Sequence, residues 1–513
     1  MKKTIKSIFK YIPIILGIVI FSLSLYIVNY FNSASFEQIL YSFTNSKGTG
    51  IDVIINGFAH TMKYTILISI IILFFINYRG TNDFYLNIRV RSKKIKFKIF
   101  PFTFLKKHFI ISSTLTIIIL IILSINNLGV IQYAKDQIIV STLYEEYYVD
   151  PNSVKLEFPE EKRNLIYIFA ESMESTNFSK ANGGALETTY IKELENLALD
   201  NVNFSNGKKL GGAFQTEGAS WTIGAMVAHT AGIPLRTVAG PNEYRNFGKG
   251  FLPGAVSIGD ILKENGYENY LMIGSSAYFG NRDDYFNSHG KYKILDYDYA
   301  VREKMIPEGY KVWWGFEDKK LFDFSKEHLT EIAKKDKPFN YTLLTVNTHF
   351  VDGYTEEDCE LPFDNKYANS FDCSSKRIND FINWIKKQDF YENTTIVVVG
   401  DHLTMQENFY ENIDKNYERT IYNTFINAKV PDKKNKTTNR QFSTFDFYPT
   451  TLSAMGVKIE GDRLALGTNL FSNKKTLPEK MSFDKFNKEV RKKSEYYNEK
   501  ILKDSYIESL IKE

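Results

Sequence analysis

Apolar and polar positions vary on two length scales along this chain. In the first quarter the apolar runs are long: Tyr11 to Phe31 carries no charge over 21 residues, and Phe109 to Ala134 none over 26. About 20 apolar residues cross a bilayer as a helix, so both runs predict membrane spans. A shorter run, Tyr64 to Tyr78, reaches spanning length by borrowing Val53–Met62, with Lys63 buried or snorkelling to the interface. About three spans are therefore expected. The basic start MKKTIKSIFK and the small triplet Ser33-Ala34-Ser35 would suit a signal peptide, but the first apolar run exceeds the usual 7–15-residue core of such peptides. A retained anchor is the better reading.

Beyond Arg163 the runs shorten and helical patterns alternate with them. Leu165–Ala170, Tyr270–Ile273, Asn340–Val346 and Thr395–Val399 read as strands; Thr189–Leu199, Ile258–Asn265 and Ser375–Lys387 read as helices. Such βα alternation predicts a mainly parallel sheet covered by helices on both faces. The expected division is a membrane anchor over residues 1–134, a charged juxtamembrane linker over 135–163, an α/β domain over 164–473 and a Lys/Glu-rich helical segment over 474–513, solvated or docked.

Charge changes the picture by its placement. The net charge of +4 is small for 513 residues and speaks against a nucleic-acid partner. Lys2, Lys3, Lys6 and Lys10 precede the first span; Arg79, Arg89, Arg91, Lys93, Lys94, Lys96, Lys98, Lys106 and Lys107 lie between the second and third, against the single acid Asp83. The loop from Asn32 to Thr61 holds only Lys47 among basic residues. By the positive-inside rule the N-terminus and the Lys-rich loop face the cytoplasm, and everything after Ala134 lies outside. The basic loop is then best read as contacting anionic head groups. The only cysteines, Cys359 and Cys373, fall in the exported half, which suggests one disulfide worth roughly 3 kcal/mol; two buried thiols are the alternative.

Candidate chemistry gathers at strand ends, where open α/β sheets place their sites. Glu171 follows the first strand, Asp401-His402 follows VVVG, and Asn347-Thr348-His349 follows the third. Two carboxylates and an imidazole suit a divalent cation, Mn²⁺ being the middle case between Mg²⁺ and Zn²⁺. A metal could activate an otherwise weak hydroxyl nucleophile. Thr222, in GAFQTEGASWTIGAMVAH, stands at a predicted helix entrance, where it reads either as a nucleophile or as an ordinary cap. A helix N-terminus there would help hold a phosphoryl group, and the small neighbours Gly218, Ala219 and Gly224 would let a bulky phosphodiester approach.

The phrases NLIYIFAES, EGASWTIGAMVAHTAGIPL, NTHFVDGY and VVVGDHLTM resemble the phosphoglycerol transferases of the alkaline phosphatase/sulfatase superfamily, in particular those that decorate periplasmic glucans with glycerol phosphate. The lipoteichoic acid synthases are more distant relatives of the same layout. The similarity runs from about Asn164 to Phe471 and implies an extracytoplasmic α/β domain of alkaline phosphatase/sulfatase type behind an α-helical membrane anchor. Carried over by residue, it makes Thr222 the nucleophile and Glu171, Asp401 and His402 metal ligands, with the Thr222 oxygen completing the shell. His349 and Arg282 become substrate contacts. Arg282 lies in FGNRDD, where the synthases carry a Trp two residues earlier and this chain has Gly280; Phe279 is the aromatic at hand. A surface ion pair with Asp283 or Asp284 is the alternative for Arg282. The Cys359/Cys373 pair also looks like that of the glucan-type enzymes, and Asp446 in FDFYPT resembles a structural turn. The resemblance implies transfer of glycerol phosphate from phosphatidylglycerol, through a phospho-threonine, to a saccharide outside the bacterial cytoplasmic membrane. A phosphoethanolamine transferase would use the same chemistry, and a non-catalytic glycan-binding protein on the same scaffold is the alternative from another class. A formylglycine sulfatase is excluded, since neither cysteine lies in a C/S-x-P-x-R context.

Overall fold

The structure is a computed structural model describing residues 11–31, 34–44, 51–77, 84–90, 93–100, 108–236, 250–335, 337–430 and 436–502. Along the first part of the chain come helices α1 (Ile12–Phe31), α2 (Phe36–Thr44) and α3 (Ile51–Asn77), strands β1 (Phe84–Val90) and β2 (Lys93–Phe100), and helices α4 (Phe109–Asn127) and α5 (Val130–Ile138). The chain divides into two compact units, one of residues 1–36 and 49–134, the other of residues 37–48 and 135–513.

Among the described residues of the first unit, three helices are long and apolar enough to cross a membrane: α1, the stretch Gly57–Phe74 of α3, and α4. Helix α3 runs unbroken through Lys63, so the second span does extend backwards as expected. The helices meet along a narrow seam of Ile14, Ile18 and Leu120, with Ile68, Ile72 and Ile117 against it. Gly17 lets α1 approach Ile117 closely, as small residues do between membrane helices. Away from the seam, Leu16, Ile66, Ile70 and Ile119 are exposed, a pattern that hydrocarbon, not water, accommodates. The basic loop contains the β1–β2 antiparallel hairpin. Lys2, Lys3, Lys6, Lys10, Ser33, Lys47, Arg79, Asp83, Arg91, Lys106 and Lys107 lie outside the described residues.

The second unit continues with β3 (Leu156–Glu157), β4 (Asn164–Ala170), α6 (Lys192–Asp200), α7 (Thr222–Ala231), α8 (Ile258–Glu264), β5 (Glu268–Ile273), α9 (Arg282–Ser288), β6 (Lys293–Leu295), α10 (Asp318–Ile332), β7 (Phe339–Leu344), α11 (Lys366–Ile385), β8 (Thr394–Gly400), β9 (Asn423–Ile426), α12 (Phe447–Ala454), β10 (Lys458–Ile459) and α13 (Phe483–Arg491). Six strands form one sheet in the order β6-β5-β7-β4-β8-β9. All pairs are parallel except β8–β9. Strands β4, β7 and β8 are buried along their whole length. Accordingly β4 and the Ile-Val-Val-Val of β8 read as apolar runs, while β7 carries the buried polar residues Asn340 and Thr342 between its apolar ones. One sheet face packs Ile166, Ile168, Leu343 and Val398 against Leu194 of α6, Phe322 of α10 and Phe381 of α11. On the other face Tyr167 and Phe169 meet His229 of α7, which in turn meets Phe447 of α12.

Two expectations change. The helix placed at Ser375–Lys387 begins at Lys366, because the Asn365 side chain accepts from the amides of Tyr367 and Ala368 and caps it there. Lys135–Arg163 is no free linker: Asp136 pairs with Arg491, β3 pairs with β10, and Val149 bridges Ala465. The C-terminal segment docks likewise, with Phe486 of α13 buried and Phe483 stacked on Phe214.

Candidate active site

Strand register brings the acidic residues together. Ala170 is paired with Gly400 across β4 and β8, so Glu171 and Asp401 leave the sheet side by side. The third strand delivers its turn to the same edge: the Thr345 amide donates to Phe169 O, Thr345 Oγ1 accepts from the Glu171 amide, and the Thr348 hydroxyl donates to Glu171 O. Gly400 is needed here, since a Cβ would fall 1.9 Å from Met173 O.

Glu171, Asp401 and His402 each offer a ligand atom within 4.8 Å of the others, and all three are buried. Asp401 Oδ1 is occupied, accepting from the amides of Ser172 and His402 at 2.8 Å each. His402 Nδ1 lies 2.9 Å from Leu403 O, which assigns a proton to Nδ1 and turns Nε2 toward the carboxylates. Among the described residues Asp401 Oδ2 and His402 Nε2 have no hydrogen-bond partner; they lie 3.4 Å from one another, with Glu171 Oε1 3.5 Å from Nε2. Two buried, unpartnered donors aimed at one another's neighbourhood fit a cation, because left alone they cost the full desolvation of each group. Burial, and then the charge of Asp401, push the Glu171 carboxyl well above its ordinary range. A cation among the three would reverse that by restoring the carboxylate. The other such grouping among the described residues, Glu356 with Cys359 and Cys373, has its sulfurs joined in a disulfide with Cα atoms 5.7 Å apart, which removes the thiolates a metal would need.

Thr222 opens α7, and the cap position falls on Trp221, whose extended backbone precedes the helix. Thr222 is thus the first helical residue, half-buried, and the capping alternative does not apply. Its loop is tied to the His402 loop by the Leu403 amide, which donates to Gln215 Oε1 at 2.7 Å. The small neighbours are needed by the local packing. A Cβ on Gly218 would strike Pro234 at 2.7 Å and one on Gly224 would strike Gly218 O at 2.6 Å, while Ala219 is fully buried. Their small size lets the chain fold tightly around the Thr222 segment.

Arg282 is buried, with Nε donating to Phe279 O at 3.0 Å and an Nη to Ser276 O at 2.8 Å, and its guanidinium lies 5.6 Å from the Phe279 ring. It is not a surface ion pair. Burial lowers its pKa to about 10, and the charges of Glu171, Asp296, Asp283 and Asp401 oppose the fall. His349 Nδ1 is 2.7 Å from Phe350 O; burial, with His402 and Arg282 nearby, lowers its pKa to about 3, so it is neutral at pH 7 with Nε2 able to accept. Sequence reasoning missed Trp314. Its ring centroid lies 4.3 Å from that of His349 and 5.7 Å from that of Phe279, the ring beside which Arg282 lies. The paired tryptophans of KVWWGF were the available signal. Asp446 is buried and serves chain geometry, accepting from the amides of Ser443 and Thr468.

With this geometry in place, comparison decides the family: the profile named Sulfatase matches residues 163–457, more than half the chain. The chain belongs to the sulfatase family. Within it, the chain is 32% identical over 339 residues to a protein named phosphoglycerol transferase I from Shigella flexneri, covering 64% of this chain and 41% of that one. A protein of the same name from Citrobacter koseri is 30% identical over 322 residues, covering 61% of this chain and 39% of that one. The matches thus span about two-fifths of the length of these curated relatives. The fold is similar to that of the lipoteichoic acid synthase LtaP from Listeria monocytogenes, at 16% identity and a TM-score of 0.50 over 70% of this chain and 96% of that one. It is also similar to the integral membrane lipooligosaccharide phosphoethanolamine transferase A (EptA) from Neisseria meningitidis, at 16% identity and a TM-score of 0.50 over 87% of this chain and 84% of that one. The fold class is therefore a helical, apolar N-terminal region followed by a sulfatase-like α/β domain.

Proposed function

We propose that this chain is a membrane-anchored phosphoglycerol transferase. Residues 1–134 serve as anchor, 135–163 as juxtamembrane segment, 164–473 as catalytic domain and 474–513 as a C-terminal segment, with the catalytic domain on the extracytoplasmic side of a bacterial cytoplasmic membrane. The observation that carries the reading is the convergence of Glu171, Asp401 and His402 at adjoining strand ends with unpartnered Oδ2 and Nε2 atoms. The similarity to proteins named phosphoglycerol transferase I supports the choice of group transferred.

Glu171, Asp401, His402 and the Thr222 oxygen would hold a divalent cation, Mn²⁺ by preference with Mg²⁺ or Zn²⁺ also suited, and such an ion supplies Lewis-acid stabilisation of oxyanions. Thr222 Oγ1 attacks the phosphorus of phosphatidylglycerol; the new P–O bond forms as the bond to the diacylglycerol oxygen breaks, and the hydroxyl proton ends on that leaving oxygen. A glycerophospho-threonine remains, and diacylglycerol stays in the membrane. A saccharide hydroxyl then attacks phosphorus, its proton returns to Thr222, and glycerol phosphate passes to the glycan. Neutral His349, whose Nε2 can accept, would relay these protons. Arg282 and the Phe279–Trp314 pair hold the head group.

The test uses the full chain in phosphatidylglycerol vesicles with Mn²⁺, head-group label and no acceptor. An adduct on the peptide containing Trp221-Thr222-Ile223, released when a glycan acceptor is added, is the expected result. An adduct elsewhere, or a Thr222→Ala variant with full turnover, sinks the reading; faster labelling from phosphatidylethanolamine moves it to the phosphoethanolamine class.

A further inference from the structure

Helix α2 stands in the sequence between the first two apolar helices, yet its residues from Glu37 on pack within the catalytic unit. Nine residues are too few to hold a helix in water without tertiary support, so its contacts decide its shape. Beside the buried Ile39, the contacts of Gln38 and Tyr41 include buried polar ones directed at the site loops. Gln38, 4% exposed, accepts through Oε1 from the Ser220 hydroxyl at 2.9 Å, two residues before Thr222. The Gln38 amide nitrogen reaches Met405 Sδ at 3.7 Å, three residues after His402. Tyr41, 2% exposed, donates to Gly280 O at 2.8 Å, two residues before Arg282, and its ring centroid lies 5.6 Å from that of Trp221. Glu37 anchors the helix by accepting from Arg236 at 3.0 Å, whose guanidinium also donates to Val490 O at 2.7 Å.

A helix that only filled space would present apolar side chains there, because buried polar groups gain little net stability and cost much when a partner is lost. This one joins the three segments that carry Thr222, Arg282 and His402. Resting on the transferase reading above, we infer that Gln38 and Tyr41 are positioning residues for the transfer: they fix the Trp221-Thr222 segment against the Gly280–Arg282 segment. The catalytic site is then completed by a segment that the chain supplies from between its membrane helices.

The experiment measures transfer from phosphatidylglycerol vesicles by full-length Gln38→Ala, Gln38→Glu, Tyr41→Phe and Thr222→Ala variants, with thermal unfolding recorded for each. Small displacements of a nucleophile are costly, so kcat should fall about tenfold in Gln38→Ala and Tyr41→Phe while KM for the lipid moves less than about twofold. Gln38→Glu keeps an oxygen for the Ser220 hydroxyl and should recover most of the rate. Adding Ser220→Ala to Gln38→Ala should cause no further loss, as expected for two ends of one bond. Wild-type kcat in both α2 variants, with Thr222→Ala inactive, overturns this inference alone. A fall that only tracks a lowered unfolding temperature, unrescued by Gln38→Glu, also overturns it. Full activity in Thr222→Ala overturns the transferase reading and this inference with it.

Discussion

Two buried carboxylate clusters flank the turn after β7, and they differ in one respect. Behind the turn, Asp318 accepts from the amides of Val346 and Asn347, while Glu356 accepts from Asn347 Nδ2, the Lys319 amide and Arg377 Nε. Every partner is protein, and the result is a brace for Asn347-Thr348-His349. In front of it, Glu171, Asp401 and His402 are just as buried, but among the described residues Asp401 Oδ2 and His402 Nε2 make no hydrogen bond and approach only one another and Glu171, at 3.4 and 3.5 Å. Burial alone therefore does not mark a functional acid. A brace satisfies its own charges, whereas a ligand cluster keeps donors in reserve for something that arrives.

This contrast predicts opposite outcomes for removing a charge. Asp401→Asn and Glu171→Gln should lower transfer about a thousandfold or more without destabilising the metal-free protein, since each removes one of the two buried acids whose proximity already holds the Glu171 carboxyl well above its ordinary range. Thermal scans with and without Mn²⁺ check it: the wild type gains a metal-dependent rise in Tm and the variants do not. A metal-free variant that melts well below the wild type would place the front cluster with the braces.

In the brace, Cys359 and Cys373 tie the segment carrying Glu356 to α11. Replacing both with Ser should cost about 3 kcal/mol, read by denaturant unfolding, and leave metal binding intact. Arg377→Ala leaves Glu356 its two neutral donors but no cation and should cost about 2–3 kcal/mol, less than for a fully buried pair because the guanidinium is partly solvated. Transfer per folded molecule should change little, which separates the brace from the ligand cluster.

The smallest effect is a pH dependence. Burial raises the Asp318 pKa from 3.8 to about 7. The folded state then holds a proton that the unfolded state releases, so this contribution to stability is full below pH 3.8 and is lost as pH rises through about 7. Unfolding of wild type and Asp318→Asn compared from pH 4 to 8 should show the wild-type advantage shrinking with rising pH. An advantage that grows instead would mean the carboxylate is stabilised in its ionised form.

Much of the molecule can be read from local pattern. The three apolar helices, the buried strands and the acidic or imidazole residues at their ends are all visible because hydrophobic length and periodicity are properties of neighbouring residues. The cysteine pair is visible because only two cysteines exist. What the sequence could not disclose depends on strand order and on contacts between distant segments. Glu171 and Asp401 meet because β4 lies beside β8 with Ala170 opposite Gly400, a pairing across some 230 residues that no periodicity encodes. Trp314 joins His349, Arg282 is drawn into the interior, and α2 reaches the loops of Thr222 and Arg282 for the same reason. Side-chain burial and hydrogen-bond partners become defined only once the sheet has assembled its edges, so the tertiary structure alone determines which polar residues are satisfied and which wait for a ligand.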